Sequence, residues 1–184
     1  PGFVYADYND IDSLKKLINE KTCAIMLEPV QGEGGVINAE VEYLKQVREL
    51  CDQNGLVLIY VEVQVGIGRT GKLFAYQVSG VEADITSLAK ALGNGAPIGA
   101  FMAKQKVADA FQPGDHGSTY GGNPLVTAAA CAVVKTMLEK DIPAHAAKIG
   151  AYFKEKLAGL KAKYSYVDDV RGQGLLLGLG LKIP

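Results

Sequence analysis

Residues 56 to 63, Leu-Val-Leu-Ile-Tyr-Val-Glu-Val, form a nearly continuous apolar run rich in β-branched side chains. A strand with one wet face alternates apolar and polar residues, so a run of this kind fits a strand covered on both faces, the usual state in a parallel sheet. The rest of the chain supplies compatible neighbours. Asp10 can cap a helix with Ile11, Leu14, Leu17 and Ile18 at helical spacing, and Thr22 to Pro29 reads as a short buried strand. A second helix is expected from about Asn38, with Val41, Leu44, Val47, Leu50 and Cys51 on one face and Gly55 as its stop. Asp84 to Leu88 and Pro97 to Ala103 read as further strands, and Pro124 to Glu139 as a helix with an apolar first half. A longer, more charged helix runs from Pro143 to about Lys163, and Val170 to Leu181 reads as a final strand. This alternation predicts an α/β layered fold with its sites at the strand ends, and a domain boundary near residue 140.

Composition narrows the function classes. At 184 residues, 48% hydrophobic and 21% charged, the chain can bury a core and is not of disordered type. A net charge of −1 with scattered Lys and Arg argues against a nucleic-acid footprint or a polybasic membrane patch. Cys23, Cys51 and Cys131 lie far apart in apolar segments, outside any CxxC or Cys/His cluster, and read as core thiols in a reducing compartment rather than as metal ligands. No apolar run reaches membrane-spanning length, and Pro1-Gly2-Phe3 does not open a leader peptide, so the expectation is a cytoplasmic protein. The apolar run Leu175 to Leu181 stops three residues short of the end; a strand needs neighbours, and the natural protein is expected to continue on both sides.

The 22 glycines concentrate in five loops: 32 to 35, 66 to 71, 93 to 99, 117 to 122 and 172 to 180. Glycine lets backbone approach a ligand closely, so such loops at strand ends suit an anion or a flat cofactor, although tight turns explain most single glycines. The segment Thr86-Ser87-Leu88-Ala89-Lys90-Ala91-Leu92-Gly93-Asn94-Gly95 is more specific. A lysine ending an apolar strand ahead of a small-residue loop is expected to be held dry, which favours the neutral amine that can form a Schiff base with an aldehyde.

This stretch resembles the Schiff-base lysine segment of the class III (ω-amino) aminotransferases, and four other segments match the family in the same order. Glu28-Pro29-Val30-Gln31-Gly32-Glu33-Gly34-Gly35-Val36 is similar to the loop before the active site, and Glu62-Val63-Gln64-Val65-Gly66-Ile67-Gly68-Arg69-Thr70-Gly71 to the cofactor-ring strand and its exit turn. Ser118-Thr119-Tyr120-Gly121-Gly122-Asn123-Pro124 resembles the phosphate-side turn, and Val170-Arg171-Gly172-Gln173-Gly174-Leu175 the segment with the substrate-carboxylate arginine. Within the class the resemblance is nearest to acetylornithine and ornithine aminotransferases. It implies a fold-type I α/β architecture, with residues 1–140 as part of the large pyridoxal-phosphate (PLP) domain and 141–184 as the start of the small C-terminal domain.

By that resemblance Lys90 is the catalytic residue, both the Schiff-base partner of PLP and the base that moves the proton. Gln64 hydrogen-bonds near the ring's phenolic oxygen, while Ser118 and Thr119 belong to the phosphate side, Thr119 across the interface of a homodimer. Arg171 binds the carboxylate of glutamate or 2-oxoglutarate, and Glu33 closes against Arg171 when the other substrate enters. The plain alternatives are a helix-capping hydroxyl for Thr119 and a surface ion pair for Glu33 with Arg171. The implied activity is transfer of an amino group from N-acetylornithine or ornithine to 2-oxoglutarate, with small-molecule partners and no metal. One position departs from the family pattern: Val61 stands where an aspartate normally pairs with the ring nitrogen. Glu62 points to the opposite strand face and is a poor substitute. Weak or absent catalysis is therefore expected, with a non-catalytic scaffold or dimerising fragment as the rival reading.

Overall fold

A computed structural model describes residues 2–182; Pro1, Ile183 and Pro184, which bear on how the sequence starts and stops, lie outside the described residues. Helix α1 (Ile11–Leu17) begins at Asp10, whose carboxylate accepts from the backbone N–H of Asp12 and Ser13, both at 2.9 Å, satisfying donors the first turn cannot. Strand β1 (Ala24–Leu27) follows, then β2 (Val30–Gln31) and β3 (Ile37–Asn38), which pair as a small hairpin. Helix α2 (Val41–Asn54) starts three residues later than the sequence suggests. It ends at Gly55, whose φ of 66° is the left-handed conformation that glycine adopts without penalty.

Strand β4 (Val57–Val61), the short helix α3 (Tyr76–Ser79), β5 (Ile85–Leu88), a 3-10 turn (Lys90–Leu92), β6 (Ala100–Ala103) and the short helix α4 (Gln105–Ala108) complete this part. The strand order is β1-β4-β5-β6, with β1, β4 and β5 parallel and β6 antiparallel to β5. On one face Ile25, Leu58 and Tyr60 pack against Tyr43, Leu44, Val47 and Cys51 of α2, all buried. Each such side chain contributes roughly 1.5–3 kcal/mol of burial. Val41, assigned to that face by its spacing, is exposed as the first residue of the helix. The alternate residues Val57, Ile59 and Val61 of β4 are half-buried on the other face.

Asp84 anchors the amino end of β5. Its buried Oδ2 accepts from Leu58 N at 2.9 Å and Arg48 Nη1 at 2.8 Å, and Lys106 Nζ stands 3.0 Å from Oδ1. One carboxylate thereby joins β4, α2 and α4.

Helix α5 (Pro124–Glu139) leads into α6 (Ile142–Lys163), which packs on a separate sheet of β7 (Val167–Gln173) and β8 (Leu176–Leu181). The single final strand expected from Val170 to Leu181 is instead an antiparallel hairpin, turned at Gly174-Leu175. Gly174 has φ 57°, and with Gly172 at φ 97° it supplies backbone that an apolar strand could not adopt. A Cβ on Gly150 of α6 would strike the Gly174 carbonyl, so glycine sets the closeness of helix and hairpin.

Of the three thiols only Cys51 is in the core; Cys23, just before β1, and Cys131, on an outward position of α5, are exposed. Among the described residues no helix is long and apolar enough to cross a membrane, and no group of three His, Cys, Asp or Glu is placed to hold a metal.

Candidate active site

Lys90 follows β5 on a strained backbone. Ala89 is fully extended (φ −161°, ψ −149°), and Lys90 turns abruptly to φ 45°, a left-handed conformation costing a side-chain-bearing residue roughly 1–2 kcal/mol. Hydrogen bonds from Leu92 N to Ala89 O (3.0 Å) and from Gly93 N to Lys90 O (3.1 Å) close the turn, and Leu92 buries itself in a cluster with Ile67 and Leu88. Packing on both sides of the lysine therefore fixes its awkward conformation. The side chain itself is exposed, and among the described residues its amine has no ion-pair partner. The expectation of a dry amine is corrected here: the turn directs the chain off the open end of β5, where no described element covers it.

The exit of β4 is held by Glu62, which is only 1% exposed. Its carboxylate accepts from Ala75 N at 2.7 Å and Tyr76 N at 2.9 Å, at the start of α3. Burial raises its pKa, and these two hydrogen bonds oppose the rise. Gly66 N donates to Glu62 O at 3.0 Å, and a Cβ on Gly66 would lie 2.7 Å from that oxygen. Glu62 thus folds the strand into the 66–71 turn. Val61 lies on the opposite, half-buried face, directly in register with Ser87 of β5.

The loop between β2 and β3 joins three of the residues singled out in the sequence. Gln64 Nε2 donates to Glu33 Oε1 at 3.0 Å, and Arg171 Nε donates to Gly35 O at 2.9 Å. Gly32 has no room for a Cβ, which would stand 2.7 Å from Gln64 Oε1. Arg171 Nη1 also lies 3.8 Å from Asp169 Oδ2. Glu33 and Arg171 do not pair with each other here, because Gln64 holds one and the Gly35 carbonyl and Asp169 hold the other. The hairpin bearing Arg171 is fixed at its tip too, where Leu175 N donates to Arg69 O at 2.9 Å.

Ser118 and Thr119 lie apart from this group in an exposed segment. Ser118 Oγ accepts from Gly121 N at 3.0 Å. The capping reading of Thr119 is corrected: Asn123 is the cap of α5, accepting from Val126 N at 3.2 Å. Two features escaped the sequence reading. The Gly35 carbonyl, as a backbone group, leaves no side-chain signal; Ser87 could have been found by matching its strand parity to that of Val61.

A family model for class-III aminotransferases matches residues 5–184. The chain belongs to the class-III aminotransferase family. It is 52% identical over 182 residues to the acetylornithine aminotransferase of Methanocaldococcus jannaschii, covering 99% of this chain and 46% of that protein. Its fold superposes on Plasmodium falciparum ornithine delta-aminotransferase with a TM-score of 0.93 at 39% identity, over 99% of this chain and 47% of the other. It also superposes on an amine transaminase from an uncultivated Pseudomonas species, solved in its PLP-bound internal aldimine form (TM-score 0.82, 42% identity, 86% and 37% coverage). This class-III aminotransferase chain spans a little under half the length of the curated relatives it matches.

Proposed function

We propose that this chain is part of a PLP-dependent aminotransferase that moves an amino group from N-acetylornithine or ornithine to 2-oxoglutarate. The observation that carries the reading is Lys90: an exposed amine with no ion-pair partner among the described residues, on a left-handed turn at the carboxyl end of a parallel strand, in a chain 52% identical to a protein named acetylornithine aminotransferase. Members of the class-III family normally bind PLP. Ligand sites in open α/β sheets gather at the carboxyl ends of strands, which is where Lys90, Gln64 and Val61 lie.

The donor set fits the cofactor in part. Lys90 offers an amine to an aldehyde, Gln64 an amide beside the ring, and Ser118 and Thr119 hydroxyls to a phosphate, Thr119 across the interface of a homodimer. Arg171 uses Nε on Gly35; its Nη1 lies 3.8 Å from Asp169 Oδ2, a half-exposed pair that a substrate carboxylate must displace to be gripped by both terminal nitrogens in the planar geometry such a pair requires. Val61 does not fit a protonated ring nitrogen. When bound, the cofactor supplies an aldehyde that takes up the amino group and a ring that draws electrons from the adjacent carbon. Lys90 Nζ would be the base that takes the proton from the substrate carbon bearing the amino group and hands it back one position along. Glu33, released from Gln64, can answer the charge of Arg171 when a substrate without a carboxylate there is bound. On this reading the partners are small amino and 2-oxo acids, the location is cytoplasmic, and the smaller domain begins near residue 141.

Val61 favours a second reading, a scaffold or dimerising fragment without the chemistry. Protein incubated with excess PLP and then freed of unbound cofactor separates the two. Visible absorbance that shifts on adding glutamate supports the enzyme. A colourless protein supports the scaffold.

A further inference from the structure

Val61 and Ser87 are the last register pair of the parallel strands β4 and β5, and both are half-buried on one face. The pairing is fixed by Glu62 N donating to Ser87 O at 3.0 Å, so neither strand can slip to bring another residue into this place. Neighbouring strands run about 4.8 Å apart, so the Val61 methyls and the Ser87 side chain stand side by side on that face, and a flat ring laid over it would meet both. Lys90 begins the turn that follows β5 directly.

We propose that the cofactor's ring nitrogen is held unprotonated in this protein, faced by the Val61 side chain and the Ser87 hydroxyl in place of a carboxylate. The inference rests on the reading that Lys90 holds PLP. A carboxylate within about 4–6 Å typically favours a cation by 1–3 pKa units, and a half-buried apolar wall disfavours it. Here the first influence is missing and the second is present.

The nearby acids are committed elsewhere. Glu62 faces away from Val61, pinned by Ala75 N and Tyr76 N; Glu33 accepts from Gln64; Asp84, at the far end of β5, is held by Arg48, Lys106 and Leu58 N. Lys90 can add only positive charge, which disfavours a pyridinium further. A serine hydroxyl donates to a neutral pyridine nitrogen without supplying charge, so the ring draws electrons less strongly and proton removal from the substrate carbon is slow.

The test loads the chain with PLP labelled with nitrogen-15 in the ring and reads the nitrogen resonance. Borohydride reduction and peptide mass locate the cofactor on Lys90. The expected wild-type signal is at the neutral pyridine position. Val61→Asp moves it to the pyridinium position, Val61→Asn leaves it neutral and controls for a buried polar group, and Ser87→Ala shifts the neutral signal as its hydrogen bond is lost. A pyridinium signal in the wild type, or no change in Ser87→Ala, overturns the inference while leaving Lys90 as the cofactor lysine. Absence of the cofactor from Lys90 overturns that reading, and the inference falls with it.

Discussion

Gln64 and Glu33 hold each other across 31 residues of sequence, amide to carboxylate at 3.0 Å, over a glycine that leaves no space between them. Gly32→Ala should displace the Gln64 amide while sparing the fold, because the added methyl meets the far end of a flexible side chain. A loss of less than about 1 kcal/mol is expected, a few degrees in Tm for a chain of this size. The Gln64 side-chain amide resonances should move in the same variant. A large Tm loss with those resonances unmoved would count against the contact.

Glu62 is expected to matter for folding more than for chemistry. Glu62→Ala strands one buried and one part-buried backbone N–H, the buried one costing about 1–3 kcal/mol, whereas Glu62→Gln keeps one acceptor and should lose less. Urea unfolding of both variants gives the order. Equal losses would mean that the side chain acts only as filler.

Asp84 predicts an acid limb. Burial alone would raise its pKa, but the Leu58 N–H, Arg48 and Lys106 bring it down to about 2 from an ordinary 3.8. A depressed carboxyl stabilises the fold fully above the unfolded value, and that stability fades as pH falls through the folded value. About 2 kcal/mol should therefore disappear between roughly pH 4 and pH 2. In Asp84→Asn that part of the pH dependence should be absent from unfolding curves, on top of an overall loss at neutral pH.

Gly174→Ala should be among the most damaging single changes. A Cβ there would stand 2.6 Å from Arg69 O and 2.8 Å from Gly71 N, both backbone atoms that cannot yield cheaply. A loss above about 3 kcal/mol is expected. Gly80→Ala is the comparison, since Gly80 has φ 73° with open space around it and should cost only about 1 kcal/mol. Denaturation midpoints of the two separate collision from backbone strain.

The layered fold was legible because its signals are local. The run at 56–63 marks β4, Asp10 and Gly55 mark helix ends by their own chemistry, and α5 begins at its expected proline. The C-terminal hairpin is hidden in the sequence because its first strand, Val167–Gln173, carries Asp168, Asp169, Arg171 and Gln173 and lacks an apolar run, so Val170 to Leu181 reads as one strand across the Gly174-Leu175 turn. In the candidate site the residue types stood out but their partners did not. Arg171 meets a backbone carbonyl 136 positions away, and nothing in a sequence announces a carbonyl. The exposure of Lys90 was likewise hidden, because a lysine's surroundings depend on what packs over a strand end.

The left-handed backbone at Lys90 sets stability against use of the amine. Asparagine accepts φ 45° far more readily than lysine does, so Lys90→Asn should melt at a higher temperature than the parent while losing any capacity to hold an aldehyde. A library sorted for thermal resistance alone would drift away from lysine at this position, and one sorted for colour in the presence of PLP would keep it.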